Sequence, residues 1–124
     1  MKPLLSALLT ATLLVACCQP GRLLRQAPPK FVSLSNPLEA TADARRTGAK
    51  LYARECAACH GSDRQGRGQA PPLNRADLCQ APPGSLFWIL RNGSLHTGMP
   101  SFAHLPQAQR WQIISFLRNC AEKP

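Results

Sequence analysis

The chain has 124 residues, a length that fits one domain. It is strongly basic, with 15 Lys and Arg residues against 6 Asp and Glu residues and a formal net charge of +9 at pH 7. The arginines are scattered rather than clustered, which argues against a nucleic-acid partner and favours an acidic protein surface or anionic lipid headgroups as the complement of the charge.

Residues 1–16 are predicted to be an export signal, because Lys2 precedes an apolar run (4–15) that is too short to span a bilayer. The run ends in Leu-Val-Ala-Cys, which resembles the lipobox of bacterial lipoproteins, with Cys17 as the lipidated residue. The resemblance implies a lipid-anchored protein of the bacterial periplasm. By analogy with lipoproteins, Cys18 in place of Asp at the next position favours the outer membrane. Ordinary cleavage that leaves Cys17 as a free thiol is the alternative.

Residues 17–42 are predicted to form a tether between this anchor and a folded unit over 43–124. Four prolines interrupt any helix in the tether, at positions 20, 28, 29 and 37. As a flexible coil it would span about 25–30 Å. The alternative is that the apolar side chains of Phe31, Val32 and Leu34 dock on the folded unit.

Three main helices are predicted in the folded unit, over Asp43–Glu55, Pro83–Arg91 and Pro106–Asn119, and no strand pattern stands out. The fold class is therefore all-α. Gly48 lacks a side chain, so we expect the first and last of these helices to cross closely there. Gly93 is predicted to end the second helix as its C-cap.

The chemistry of the chain is concentrated in Cys56-Ala-Ala-Cys59-His60, the spacing of covalent haem attachment. Two thiols at this spacing can add to the two vinyl groups of one porphyrin, and the adjacent histidine is then carried under the iron. A thioredoxin-type redox pair would need a βαβ context, and half a zinc site would need a second Cys pair. A buried haem would also complete the marginal core of an 82-residue unit.

The second axial ligand of such an iron decides what it does. Met99 is the only methionine left once the export signal is removed, and Gly and Pro flank it in a loop that can present it inward. A thioether ligand gives a six-coordinate, electron-transferring iron. His96 in its place would make a bis-histidine site, and an open position would suit gas sensing or peroxide chemistry. His104 is a further competitor, and we expect both histidines to be solvated loop residues.

These motifs together resemble the class I c-type cytochromes over about 44–118. The resemblance implies a cytochrome c-like fold of three main helices around one covalently attached haem c, with thioether bonds to Cys56 and Cys59 and with His60 and Met99 as axial ligands. It also implies that the Pro71 carbonyl accepts the Nδ1–H of His60, with the Pro72 carbonyl as the near alternative. The matching segments are Gly48…Leu51-Tyr52, Cys56 to Gly61, Pro71-Pro72-Leu73, Gly98 to Phe102, and Leu105…Arg110-Trp111…Phe116-Leu117-Arg118.

Two further cysteines, Cys79 and Cys120, are predicted to form a disulfide, since spare thiols tend to pair outside the reducing cytosol. The bridge would close a loop of about forty residues and stabilise the fold by about 3–4 kcal/mol. Two buried free thiols are the alternative.

The sequence therefore predicts a monomeric, membrane-tethered electron carrier of the periplasm, with redox proteins as partners and no enzymatic activity of its own. It would act between respiratory or dehydrogenase complexes, or as the cytochrome subunit of one. A haem-based gas sensor or peroxidase with an open sixth position, and a Cys-x-x-Cys thiol–disulfide oxidoreductase, are the alternative functions.

Overall fold

The computed structural model describes residues 21–39 and 41–120, which are helical and contain no strand. This confirms the predicted all-α class. None of the described helices is long and apolar enough to cross a membrane. The predicted export signal, Cys17 and Cys18 lie outside the described residues. The helices of the described part are α1 (Gly21–Leu24), α2 (Pro29–Val32), α3 (Ala42–Glu55), α4 (Ala57–His60), α5 (Ala76–Gln80), α6 (Pro83–Asn92) and α7 (Gln107–Arg118).

The three predicted helices correspond to α3, α6 and α7, the longest of the set. α3 begins where Thr41 accepts a hydrogen bond from the Ala44 N–H at 3.2 Å through its side-chain oxygen, which satisfies one of the free donors of the first turn. α6 ends at Gly93, whose φ of +68° is one that glycine adopts without strain.

The crossing of α3 and α7 forms the centre of the molecule. Gly48 is buried there, and a Cβ on it would overlap the carbonyl oxygen of Gln112 and lie 2.9 Å from the Cβ of Phe116. The predicted close approach at Gly48 is thus confirmed. One turn further along α3, the Tyr52 ring lies 5.3 Å from the Phe116 ring, and Ile113 is fully buried.

Residues 21–39, here called the N-terminal strap, pack against the helical body. Phe31 on α2 contacts the apolar core, and a Cβ on Gly84 of α6 would overlap the Phe31 carbonyl. Asn36 is buried, and its side-chain N–H donates to the Trp111 carbonyl and to the Ser115 hydroxyl, both at 3.0 Å. The structure therefore adopts the docked arrangement through Phe31 and Asn36, whereas the side chains of Val32 and Leu34 are exposed.

The two short helices of the strap differ from the expectation that its prolines exclude helix. α2 begins at Pro29, and the first position of a helix needs no N–H donor and suits the fixed φ of proline. Single helical turns of this kind have little stability alone, so their packing against α6 is what holds them.

Candidate haem-binding site

The thiols and imidazole of the Cys-x-x-Cys-His motif lie on one helical turn. α3 ends at Glu55, and α4 continues from Ala57 to His60 after a break at Cys56. The His60 N–H donates to the Cys56 carbonyl at 2.9 Å, which closes that turn. Cys56 is buried and Cys59 is exposed, and neither is in a disulfide. One helical turn therefore carries both thiols and the ring.

The surroundings of Cys56 suit haem attachment better than redox exchange. Burial raises the pKa of the Cys56 thiol to about 12, and the nearby Glu55 adds to this effect. A thiol–disulfide oxidoreductase needs an accessible thiolate of low pKa, whereas addition to a vinyl group uses the S–H itself. Within 21–39 and 41–120, no group of three or more His, Cys, Asp or Glu side chains is placed to hold a metal ion.

The ring of His60 is oriented by the backbone. Its Nδ1 lies 2.8 Å from the carbonyl oxygen of Pro71. A carbonyl can only accept, so the proton sits on Nδ1 and the lone pair of Nε2 is free to bind iron. Such a hydrogen bond fixes the tautomer of a ligating histidine and raises its basicity. Of the two prolines that the resemblance offers, Pro71 supplies the acceptor.

The loop after His60 turns tightly to bring this acceptor back to the ring. The Tyr52 hydroxyl donates to the Gly61 carbonyl at 2.7 Å, which ties α3 to the start of the loop. Burial raises the pKa of this hydroxyl to about 12. The Gly66 N–H donates to the His60 carbonyl at 2.8 Å. Gly66 has a φ of +81°, and a Cβ there would lie 2.6 Å from the carbonyl oxygen of Ala70, next to the accepting proline. Glycine is required at this position.

The loop that carries Met99 is held against the end of α6. The backbones of Ser94 and Met99 pair through two hydrogen bonds of 2.9 and 3.0 Å, and Phe102 donates its N–H to the Leu90 carbonyl at 2.8 Å. A Cβ on Gly93 would lie 2.6 Å from the Met99 carbonyl oxygen, so only glycine permits this approach. The Met99 side chain is half-buried and contacts the apolar core.

A buried arginine on α7 holds the same loop from its other side. One terminal nitrogen of Arg110 donates to the carbonyls of Phe102, Ala103 and Leu105 at 3.2, 3.1 and 2.6 Å. Its guanidinium also lies 4.9 Å from the centre of the Phe87 ring, within cation–π range. The loop after Met99 is therefore tied to both α6 and α7.

Arg110 and Gly66 are contributors that the sequence analysis did not single out as site residues. Arg110 precedes Ile113, Ile114 and Leu117 by three, four and seven residues, so it lies on the buried stripe of α7. A charged side chain on a buried stripe needs hydrogen-bond acceptors. The helical spacing of Arg110 with three apolar residues could therefore have identified it from the sequence as a buried, hydrogen-bonded group. Gly66 has no comparable signal, because its role depends on a loop conformation.

Replacing Arg110 tests this arrangement. We expect Arg110→Met to lower the free energy of unfolding by about 2–4 kcal/mol, because three carbonyls lose a charged donor. Arg110→Lys should recover part of the loss, because it keeps a positive charge within reach. Urea denaturation of the haem-loaded protein measures both. Arg46→Met removes only an exposed ion pair with Asp43 and should cost less than about 1 kcal/mol; an equal loss in this control would contradict the role assigned to Arg110.

A cavity of about 600 Å³ opens beside the His60 acceptor. The loop 65–72, which includes Pro71, forms one wall, and Arg75, His96 and Thr97 line the rest. His96 is exposed and reaches this cavity, whereas His104 is exposed and lies beside the Phe102 ring, 6.0 Å between centres. Of the two histidines, His96 therefore remains the competitor of Met99 for the second axial position of a bound haem iron.

Cys79 on α5 and Cys120 after the end of α7 form a disulfide in the structure, with their Cα atoms 6.0 Å apart. The bridge joins the end of α7 to the segment that follows the His60 loop. It lies outside the Cys-x-x-Cys motif and leaves both motif thiols available.

Removal of this disulfide is expected to destabilise the fold without changing the haem site. The Cys79→Ser/Cys120→Ser double variant should lose about 3–4 kcal/mol of unfolding free energy, as the chain-entropy estimate for a loop of this length gives. Denaturant titration measures the loss. A thiol reductant should produce the same loss in the wild-type protein and no further loss in the double variant; a wild-type protein insensitive to the reductant would show that the bridge does not form.

The donor set fits a covalently bound haem. Cys56 and Cys59 supply two thiols, His60 supplies an imidazole with a free Nε2, and Met99 supplies a thioether on a fixed loop. The adjoining cavity is open and lies along the loop that carries the His60 acceptor. These are the groups that a class I c-type cytochrome uses.

Comparisons with known proteins agree with this assignment. Residues 43–117 match the family described as cytochrome c oxidase, cbb3-type, subunit III. A search of the curated proteins found no significant match. Among solved structures, the fold is similar to that of cytochrome cL from the marine methylotrophic bacterium Methylophaga aminisulfidivorans, with a TM-score of 0.57 and 21% identity over 66% of this chain and 56% of that chain. The chain therefore belongs to the family described as cytochrome c oxidase, cbb3-type, subunit III, and is a class I c-type cytochrome with haem c as its cofactor.

Proposed function

We propose that the protein is a membrane-tethered electron carrier of the bacterial periplasm, with His60 and Met99 as the axial ligands of one haem attached to Cys56 and Cys59. The observation that carries the proposal is the fixed loop around Met99, which pairs with Ser94 and is bound to both α6 and α7. A ligand held in this way supports electron transfer rather than exchange of ligands at the iron.

Haem c, when bound, supplies a one-electron couple at its iron. The residues of the chain keep the surroundings of that couple constant. Pro71 holds the His60 ring, and the backbone pairing with Ser94 holds Met99, so neither side chain has to move when the charge of the site changes. Small reorganisation of this kind favours rapid transfer.

Absorption spectra of the purified, haem-loaded protein test the ligand set. We expect the weak red band of a methionine–ferric iron bond in the oxidised protein, a reversible one-electron redox titration, and no binding of carbon monoxide by the reduced protein. Absence of the red band together with ready carbon monoxide binding would favour the gas sensor or peroxidase. Loss of all haem colour on acid–acetone extraction would exclude covalent attachment.

The partners proposed here are redox proteins with acidic docking surfaces. The folded unit has eleven Lys and Arg residues against five acids, and two of its arginines, Arg67 and Arg75, line the open cavity. Steering by such charges raises association rates and weakens as salt screens it. The description of the family supports a cytochrome c oxidase as the class of acceptor. The chain is proposed to act as a monomer.

The tether is tested at Cys17. Cys17→Ser is expected to move the protein from the membrane fraction to the soluble periplasmic fraction, because the sulfur that would carry the lipid is lost. Cell fractionation followed by haem staining measures the distribution. Cys18→Ser removes the neighbouring thiol as a matched control and should leave the protein in the membrane fraction. Retention of the Cys17→Ser protein in membranes washed with high salt, which removes proteins bound by charge alone, would count against the lipid anchor.

A further inference from the structure

The N-terminal strap is bound to the body along its whole described length, so it does not act as a free tether. α1 and α2 both pack against α6, and the backbone of Phe31 lies so close to Gly84 that no Cβ fits between them. Further along, Asn36 donates to Trp111, and Glu39 forms an ion pair with Arg118. These contacts fix the position of Gly21, the first residue that the structure describes, relative to the helical body.

The covalent distance from Gly21 to the proposed lipid is short. Cys17 lies four residues before Gly21, and four residues span at most about 14 Å even when fully extended. A free tether over 18–42 would have placed the folded unit about 25–30 Å from the lipid on average and let the unit rotate in all directions. With the strap bound, the surface around α1 is the part of the molecule that must lie nearest the bilayer.

That surface is basic. The strap carries Arg22, Arg25 and Lys30, and its one acid, Glu39, is used by the ion pair with Arg118. Arg91 of α6 extends the cluster, because its guanidinium and the Lys30 ammonium lie 5.7 and 5.6 Å from the centre of the same Phe31 ring. No carboxylate of the described residues pairs with Arg22, Lys30 or Arg91. We call these four cations the basic face.

We propose that the basic face rests on an anionic membrane surface, which gives the tethered domain one orientation instead of many. The proposal builds on the lipid anchor of the proposed function. Basic residues next to a membrane anchor bind acidic headgroups, with each cation near the surface adding about fivefold in affinity. The oriented domain then holds its Met99 loop close to the membrane, because Ser101 of that loop donates to the Arg91 carbonyl at 2.6 Å.

Chain connectivity favours a membrane over an acidic protein as the occupant of this face. A protein partner could dock anywhere on the body, whereas the basic face, which begins five residues after Cys17, meets the bilayer first. Apolar side chains accompany the cations on the strap, since Val32 and Leu34 are exposed. Cations interspersed with apolar residues are typical of segments that lie on membrane surfaces.

Vesicle binding of the haem-loaded Cys17→Ser protein tests the proposal without the lipid. We expect it to sediment at low salt with vesicles of equal phosphatidylglycerol and phosphatidylcholine, and to stay in solution with pure phosphatidylcholine. Arg22→Gln/Arg25→Gln/Lys30→Gln should weaken sedimentation on the order of 100-fold. The matched control is Arg46→Gln/Lys50→Gln/Arg54→Gln, which removes the same charge from the exposed side of α3 and should weaken it only a few fold.

The outcomes separate this proposal from the anchor on which it builds. Equal losses in the two triple variants, or equal binding to neutral vesicles, would overturn the basic face as a membrane site. Unchanged vesicle binding, combined with slower electron transfer from the strap variant to an acidic redox protein, would also overturn it and assign the face to a protein partner. Failure of the lipid anchor shows instead in fractionation of the wild-type protein, which the vesicle assay does not use.

Discussion

The Met99→Ala variant is expected to bind haem covalently but to lose the red absorption band and most of the stability of its reduced state. Alanine leaves the sixth position without a thioether. A thioether stabilises ferrous iron more than a harder ligand does, so its loss destabilises the reduced state. The reduction potential should fall by a sizeable part of the roughly 0.8 V range over which axial ligands set haem potentials. Spectroelectrochemical titration of the purified variant measures both effects.

His96→Ala is the matched control for this variant. Both residues lie in the loop between α6 and α7, and His96 lines the cavity beside the acceptor of the His60 ring. We expect His96→Ala to keep the red band and to shift the potential little, because an exposed imidazole acts there as a solvated side chain. The opposite result, an unchanged Met99→Ala spectrum with a disrupted His96→Ala spectrum, would assign the site to two histidines.

Local sequence rules were sufficient for the helices that carry the site. The bounds of α3, α6 and α7 lie within a residue or two of the predicted ones. Thr41, Pro83 and Pro106 mark the starts of these helices, and Gly93 marks the end of α6. Gly48 was also predictable, since glycine inside an apolar helical stripe has few uses other than close packing. The motif at 56–60 identified the cofactor by its spacing alone.

The parts that sequence reasoning did not reach depend on contacts between distant residues. Asn36 and the carbonyl of Trp111 are 75 positions apart. The apolar side chains at 31, 32 and 34 allowed docking as an alternative, but nothing in the local composition indicated Asn36 or α7 as the contact. The three carbonyls that Arg110 binds lie in a loop whose conformation is set by α6. A buried arginine can be flagged from periodicity, but its partners can be found only in the folded structure.

The second large effect is expected from Gly48→Ala, even though alanine is the better helix former by about 1 kcal/mol. The new methyl group would overlap the Gln112 carbonyl on α7, and backbone atoms cannot rotate away as a flexible side chain can. We therefore expect a net loss of about 3 kcal/mol of unfolding free energy, at the upper end of the usual cost of overpacking. Denaturant titration measures it, with Ala53→Gly on the exposed side of α3 as a control that should cost only about 1 kcal/mol.

The consequence for function follows from what the two crossing helices carry. α3 leads directly into Cys56 and His60, and α7 carries Arg110, which holds the loop after Met99. Separation of the helices at Gly48 therefore moves the two candidate axial ligands apart, although neither residue is altered. We expect less haem-stained Gly48→Ala protein as the growth temperature rises, and a weaker red band in what remains. A Gly48→Ala protein as stable as wild type, with a full red band, would show that the crossing does not set the spacing of the ligands.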